Sequence, residues 1–134
     1  MAITKIHPIK STVSFAIDYI TSDDKTDDQI LISSEGCSPA TAHLQFINTR
    51  EVNNTRGTVL ARHLIQSFVP GEVSPEKAHE IGIDLAKEIL KGEYEYVLAT
   101  HVDRNHIHNH IIFNNVNWKT GKCYQSNKQS YHRM

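Results

Sequence analysis

The segment at residues 106–114 constrains the fold of this chain more than any other part of its sequence. It reads His-Ile-His-Asn-His-Ile-Ile-Phe-Asn, with an imidazole at every second position of its first half. In an extended strand the side chains at i, i+2 and i+4 share one face, so His106, His108 and His110 point the same way. Asn114 continues that face. The opposite face is apolar and consists of Ile107, Ile111 and Phe113. The pattern therefore predicts a strand with an apolar face inward and histidines on the other.

The composition is that of one small folded domain. The chain has 134 residues, 39% of them hydrophobic, with only six Gly and four Pro, which argues against disorder and against a collagen-like repeat. The formal net charge is −1, so the chain lacks the strongly basic balance typical of many nucleic-acid-binding domains. A localised basic strip within that neutral total would still suffice for DNA.

Cysteine usage and hydropathy predict a cytoplasmic protein. Cys37 and Cys123 are too few for a disulfide framework and form no Cys-x-x-Cys pair, which favours a reducing compartment. No apolar run approaches the roughly 18–20 residues of a membrane span, and residues 1–5 do not open a signal peptide. We therefore expect no membrane insertion.

Local patterns along the chain predict an α+β fold. The predicted order is strand 2–10, helix 13–20, helix 38–52, strand 58–70, helix 75–91, strand 94–103 and strand 106–117. The last two strands are expected to pair as a hairpin, and Pro8 suits an edge position for the first. Residues 30–36 are ambiguous, and residues 118–134 form no recognisable element. This order favours a mainly antiparallel central sheet with helices packed on one face.

The histidine-rich segment has the chemistry of a metal site. Neutral imidazole is the commonest side-chain ligand for borderline divalent metals. His101, near the end of the preceding strand, could approach the other histidines across the hairpin. A three-histidine set leaves coordination positions open for water or a substrate oxygen, as a catalytic metal requires. The alternatives are a polar face without a ligand and a structural zinc site, the latter disfavoured because neither cysteine lies at ligand spacing.

Three segments together resemble one enzyme family. HVDRNHIHNHIIFNNVN (101–117) looks like the His-x-Asp-x-x-His-x-His-x-His-x-x-x-Asn motif of conjugative relaxases, the relaxase/mobilisation nucleases within the His-hydrophobic-His (HUH) endonucleases. SFAIDYITSDDKT, which contains Tyr19, resembles the first motif of that family. HLIQSFVPGE (63–72) followed by SPEKAHEIG resembles the segment between them. The resemblance covers most of residues 10–117 in the family order.

The resemblance implies a DNA-nicking enzyme with an HUH-endonuclease-like palm. Such an enzyme cuts one strand of a plasmid or integrative element at its origin of transfer, through a tyrosine that becomes joined to the 5′ end, and later rejoins it. The implied cofactor is a divalent ion, Mn²⁺ or Mg²⁺, with Zn²⁺ as a further candidate. The implied partners are single-stranded origin-of-transfer DNA, a relaxosome accessory DNA-binding protein and a type IV secretion coupling protein. The protein could leave the cell with the transferred strand, and we expect residues 1–134 to be a catalytic domain that normally continues beyond Met134.

The motif positions assign the central residues of the site. Tyr19 would be the nucleophile, and His101, His108 and His110 would hold the metal. Two His-x-His triplets fit the family name, one centred on Ile107 and one on Asn109. The second is preferred because it directly precedes the apolar run, as the ligand pair of the family does. His106 then faces the substrate or supports a ligand, although His106 in place of His101 as third ligand stays open.

Further residues are predicted around that centre. Asp103 would orient a ligand imidazole or accept a hydrogen bond from Arg104. The other candidates for supporting or substrate-facing positions are His63, Ser67, Glu72 and Asn114. The candidates for contacts with DNA phosphates are Lys10, Arg62 and Arg104.

Two other functions fit parts of the pattern. In replication-initiator or transposase relatives with the same histidine pair, the nucleophilic tyrosine follows the histidines, and the candidates would be Tyr124 or Tyr131. A non-catalytic module that binds DNA or metal without turnover would form no covalent adduct. The letters His-Asn-His at 108–110 also spell the name of the HNH nucleases, but that fold spreads these residues over a much longer segment.

Overall fold

An antiparallel sheet of five strands forms the centre of the computed structural model, which describes residues 3–22, 31–103 and 106–125, without the side chains of Ile3 and Asp103. The elements are β1 (Ile3–Ile9), α1 (Val13–Ile20), β2 (Ile32–Glu35), α2 (Ala42–Val52), β3 (Ala61–Phe68), α3 (Pro75–Leu90), β4 (Tyr96–Asp103) and β5 (His106–Asn114). The strand order is β1-β3-β5-β4-β2, and every neighbouring pair is antiparallel. The predicted edge strand and the predicted β4–β5 hairpin are thereby confirmed.

The helices are divided between the two faces of the sheet. α3 covers one face, where Leu85 and Leu90 pack with Ile111 and Phe113. The other face is partly covered by α1 and α2, whose apolar residues pack around Ile112. The α+β class and the antiparallel sheet are as predicted, but the expectation that the helices share one face is wrong. Consecutive strand residues point to opposite faces, so the apolar run at 111–113 requires cover on both.

Several local features differ from the sequence-based expectation. The ambiguous residues 30–36 contain β2, which pairs with β4. α2 begins at Ala42 with Thr41 as its N-cap residue, three residues later than Pro39 suggested. The polar tail contributes Tyr124 to the core on the α3 face, and Val116 pairs with Cys123. α3 follows its signals closely, since the Ser74 hydroxyl accepts a hydrogen bond from the backbone N–H of Lys77 (3.1 Å).

Candidate active site

The histidines of β5 lie on the face opposite α3, beyond the part that α1 and α2 cover. We call this surface, which also carries His63 and His101, the histidine face. The ring centroids of His106 and His108 are 6.4 Å apart, and those of His108 and His110 are 6.3 Å apart. His101 pairs with His108 in the β4–β5 register, and its ring centroid is 4.0 Å from that of His110. The predicted approach of His101 across the hairpin is confirmed.

His101 links this cluster to the C-terminal end of α1. Its side chain is buried, and Nε2 lies 2.9 Å from the carbonyl oxygen of Ile20. Because a carbonyl only accepts hydrogen bonds, Nε2 carries the proton in this contact. The end of α1 is therefore held against the histidine cluster.

Tyr19 lies in the last turn of α1, beside His101. The two rings meet edge to face, with centroids 6.0 Å apart, and the tyrosine side chain is 57% exposed. A phenol at this position can be reached by a large substrate.

The other described tyrosines lie on the α3 face. Tyr96 and Tyr124 are buried there, and Tyr94 packs against the same cluster. Burial, together with the nearby charge of Glu35, raises the pKa of Tyr96 to about 12. Burial also raises the pKa of Tyr94. Among the described residues, Tyr19 is thus the one tyrosine on the histidine face, and Tyr131 lies outside the described residues.

β3 brings two predicted residues into contact with the histidines of β5. Ser67 pairs with His108 in register, and its hydroxyl is hydrogen bonded to Nδ1 of His108 (3.0 Å). Nε2 of His63 lies 2.8 Å from Nδ1 of His110. Burial, followed by the charges of His7 and His101, lowers the pKa of His63 to about 4. His63 is therefore neutral near pH 7 and can accept a hydrogen bond from His110.

The donor chemistry of the cluster fits a divalent ion, but its present arrangement is not a closed coordination sphere. His101, His108 and His110 each direct one ring nitrogen to a protein partner, as metal-binding imidazoles usually do. Across residues 3–22, 31–103 and 106–125, no three histidine, cysteine or acidic side chains converge as a set that could hold a metal ion. The ligand assignment remains a prediction.

A buried hydrogen-bond network supports β5 from the α3 face, and the sequence analysis did not identify it. Asn109, between two site histidines, donates from Nδ2 to the carbonyl of Ala78 (2.7 Å) and to Oε1 of Gln66 (2.9 Å). Its Oδ1 accepts a hydrogen bond from Thr100 (2.6 Å), whose hydroxyl also contacts His79 (2.7 Å). The signal in the sequence was a polar residue at an apolar position of the strand.

Asn114, predicted at a supporting or substrate-facing position, is buried beneath α2. Its side chain is fully buried, and Nδ2 donates to the carbonyl of Phe46 and to Oε1 of Glu95, each at 3.2 Å. It shares the face of the histidines, but α2 covers that end of β5. Asn114 therefore fastens α2 to the sheet.

Of the predicted DNA-contact residues, the structure describes Lys10 and Arg62. Arg62 projects to the α3 face, where Nε donates to Asn115 (2.8 Å) and the guanidinium lies over the Tyr124 ring (5.6 Å). Strand alternation separates it from its neighbour His63, so Arg62 does not lie on the histidine face, and its contact with DNA stays a prediction. Lys10 is exposed just beyond β1. The histidine face instead extends to Lys5 of β1.

Three further predicted residues lie at the margins. Glu72 is exposed in the turn after β3, where its carboxylate accepts a hydrogen bond from the backbone N–H of Val69 (3.1 Å). Asp103 is the last residue of β4 and pairs with His106 of β5. Its side chain is not among those that the structure describes. Arg104 lies outside the described residues.

Comparison with known proteins gives a consistent family assignment. Residues 19–134 match the profile of the family described as "Relaxase: MobA/VirD2-like, nuclease domain". The chain is 41% identical over 129 residues to the protein rlx of Staphylococcus aureus, which covers 96% of this chain and 38% of that protein. It is 54% identical over 86 residues to the group II intron-interrupted relaxase LtrB of Lactococcus lactis subsp. cremoris, covering 63% of this chain and 15% of that protein. The chain thus spans less than two fifths of the length of these two relatives.

Proposed function

Because the chain belongs to the MobA/VirD2-like relaxase nuclease family, we propose that it nicks and rejoins one strand of DNA at an origin of transfer. The single observation that carries this proposal is the placement of Tyr19 against His101, at the edge of a cluster of imidazoles. A solvent-exposed phenol beside such a cluster suits attack on a phosphodiester, which is too large to enter a closed cavity.

The proposed reaction is a transesterification at phosphorus. The phenol oxygen of Tyr19 bonds to the scissile phosphorus, and the bond from phosphorus to the 3′ oxygen of the preceding nucleotide breaks. The phenol proton is transferred to that 3′ oxygen, which becomes a hydroxyl, and the 5′ end of the DNA remains joined to the tyrosine. Because the phosphotyrosyl ester retains the energy of the phosphodiester, the reverse reaction rejoins the strand without ATP. A phenol with an ordinary pKa near 10 needs a nearby base or cation to react at neutral pH.

We assign His101, His108 and His110 as the residues that would hold a divalent ion, Mn²⁺, Mg²⁺ or Zn²⁺. When bound, the ion would withdraw negative charge from the phosphate oxygens. The hydrogen bonds to Ile20, Ser67 and His63 support the assignment, because a metal-binding imidazole usually directs one ring nitrogen to a protein partner. Since the rings do not converge, we expect ion binding to reorient at least one of them.

The rival functions gain less support from the positions of the tyrosines. A replication-initiator or transposase-type mechanism would use a tyrosine after the histidines, and Tyr124 is buried on the opposite face of the sheet. Tyr131 lies outside the described residues and is tested by its own variant. A non-catalytic module would bind DNA without a covalent adduct.

The proposed substrate and partners follow from this function. They are single-stranded origin-of-transfer DNA, an accessory DNA-binding protein of the relaxosome and a type IV secretion coupling protein, in a cytoplasmic setting. Within residues 3–22, 31–103 and 106–125, no helix has the length and apolar character needed to cross a lipid bilayer.

The decisive experiment captures the covalent intermediate. The protein is incubated with single-stranded origin DNA and Mn²⁺, and the products are separated on a denaturing gel. Tyr19→Phe should abolish the conjugate while DNA affinity changes less than about twofold, because the phenylalanine ring preserves the contact with His101. Tyr94→Phe, on the α3 face, is the matched control and should retain the conjugate. A conjugate that survives Tyr19→Phe and disappears in Tyr131→Phe would favour the rival mechanism.

Metal binding is tested separately by Mn²⁺ titration. His108→Ala and His110→Ala should each weaken Mn²⁺ binding by more than the roughly 10–100-fold expected for a supporting residue such as Ser67. Comparing His101→Gln with His106→Ala identifies the third ligand. Unchanged Mn²⁺ affinity in His108→Ala or in His110→Ala would contradict the assignment.

A further inference from the structure

Three buried polar side chains form one row across the sheet on its α3 face. Gln66 pairs with Asn109 between β3 and β5, and Asn109 pairs with Thr100 between β5 and β4. We call these three residues the polar row. Each is at most 5% exposed, and Asn109 donates to Gln66 and accepts from Thr100. Buried hydrogen bonds fix one arrangement of the strands that make them, whereas apolar contacts are non-directional.

The polar row lies directly behind the candidate metal ligands. Each of its members is the chain neighbour of a residue on the histidine face. These pairs are Thr100 with His101, Asn109 with both His108 and His110, and Gln66 with Ser67. Neighbouring side chains of a strand point to opposite faces from Cα atoms about 3.8 Å apart. A displacement of the polar row therefore moves the backbone from which the site histidines project.

His79 of α3 is hydrogen bonded to the polar row, and the direction of each bond follows from its partners. Nδ2 of Asn109 faces the carbonyl of Ala78, which only accepts, so Oδ1 accepts the hydroxyl proton of Thr100. The Thr100 oxygen then accepts from Nδ1 of His79 (2.7 Å), which carries a proton. Burial lowers the pKa of His79 below its ordinary value, which favours the neutral ring at pH 7. Nε2 of that ring accepts from the hydroxyl of Ser33 (2.7 Å).

We propose that His79 is a positioning residue for the candidate metal ligands, which it reaches through Thr100 and Asn109. The Nδ1–H group of His79 holds the Thr100 oxygen, and Thr100 holds the amide of Asn109, so both strands of the β4–β5 hairpin are fixed to α3. The three ligand histidines project from that hairpin. The His79 ring lies on the α3 face and acts through the strands rather than on the phosphate. This inference deepens the proposed function and rests on it, because the positioned imidazoles are those assigned to the ion.

The first measurement is the protonation of the His79 ring in the metal-free wild type, and it requires no substitution. Long-range ¹H–¹⁵N NMR spectra distinguish the two ring nitrogens. We expect a proton on Nδ1 and a lone pair on Nε2. A ring without a proton on Nδ1 would overturn the proposal, because Thr100 would then receive no hydrogen bond from His79.

Two substitutions separate positioning from packing. His79→Leu removes the donor to Thr100 but keeps a bulky side chain, whereas His79→Asn retains an N–H group near the position of Nδ1. In metal-free NMR spectra, the ring resonances of the three candidate ligands should shift in His79→Leu, and His79→Asn should restore most of the wild-type positions. Leu90→Val alters an apolar contact of the same helix and is the control. It should lower Tm without moving these resonances.

Mn²⁺ titration then connects the positioning to the proposed function. His79→Leu should weaken Mn²⁺ binding by about 3–30-fold, and His79→Asn and Leu90→Val should each weaken it by less than about twofold. Unmoved ring resonances in His79→Leu would overturn the proposal, as would a Mn²⁺ affinity equal to that of a Mn²⁺-binding wild type. A wild type that binds no Mn²⁺ would instead remove the ligand assignment of the proposed function, and the ring resonances alone would then decide the positioning.

Discussion

Replacing Gly82 with alanine should strain the contact between α3 and the strand that carries the site histidines. A Cβ atom at this position would lie 2.7 Å from Nδ2 and 2.9 Å from Cγ of Asn109, and 3.2 Å from Cδ1 of Leu98. Asn109 cannot move away cheaply, because it is fully buried and its amide is hydrogen bonded to Ala78, Gln66 and Thr100. Either α3 shifts outward or hydrogen bonds of Asn109 are lost.

The expected change in the free energy of unfolding combines two destabilising terms and one stabilising term. Overpacking of this kind costs about 1–3 kcal/mol, and one buried hydrogen bond left unmade costs about 1–3 kcal/mol. Alanine returns up to about 1 kcal/mol because it is a better helix former than glycine. We therefore expect Gly82→Ala to lower the free energy of unfolding by roughly 2 kcal/mol and Tm by roughly 8 °C.

The assay is urea and thermal denaturation followed by circular dichroism. Asp84→Ala, on the exposed side of α3, is the control and should be neutral or slightly stabilising. In a double-mutant cycle, Asn109→Ala should cost about 1 kcal/mol less in the Gly82→Ala background than in the wild type, because the clash is then absent. A Gly82→Ala protein as stable as the wild type would refute the close contact between α3 and Asn109.

Two further outcomes follow from the pKa values of partly buried groups. The pKa of His63 is about 4 in the folded protein and 6.5 in the unfolded chain, so the unfolded chain takes up the proton first as the pH falls. In the presence of a metal chelator, the free energy of unfolding of the wild type should therefore fall by roughly 3 kcal/mol more than that of His63→Gln between pH 7 and pH 4. The measurement is urea denaturation at several pH values, and an equal pH dependence of the free energy of unfolding in the wild type and in His63→Gln would contradict this. Iodoacetamide should modify Cys37 about 100-fold more slowly in the folded than in the urea-unfolded protein at pH 8, since burial and then the charge of Glu95 raise its pKa to about 11. Peptide mapping measures both rates, and equal rates would show that the thiol is not shielded.

Much of the site could be predicted from periodicity within single segments. The alternation of histidines at 106–110 placed three imidazoles on one face, and the hairpin that follows from the short link brought His101 to the same place. The signals of α3 were also local, because Ser74 and Pro75 determine its start through one capping hydrogen bond and one fixed dihedral angle.

The features that single segments did not predict have physical causes that lie between segments. Arg62 was predicted to contact DNA, and Asn114 to occupy a supporting or substrate-facing position, whereas the observed partners of their side chains are Asn115, Tyr124, Phe46 and Glu95. None of these contacts follows from the pattern of one strand. Similarly, the short β2 strand gains its stability from pairing with β4 rather than from its own sequence.

The sequence by itself determined which residue types alternate along β5 and where α3 begins, because both depend on neighbours a few positions away. The tertiary structure decided that β3 pairs with β5, which sets Ser67 and His63 against His108 and His110. It also decided that Gly82 lies against Asn109. Register and close packing depend on the free energy of the whole sheet, since a shift of one residue would exchange its two faces.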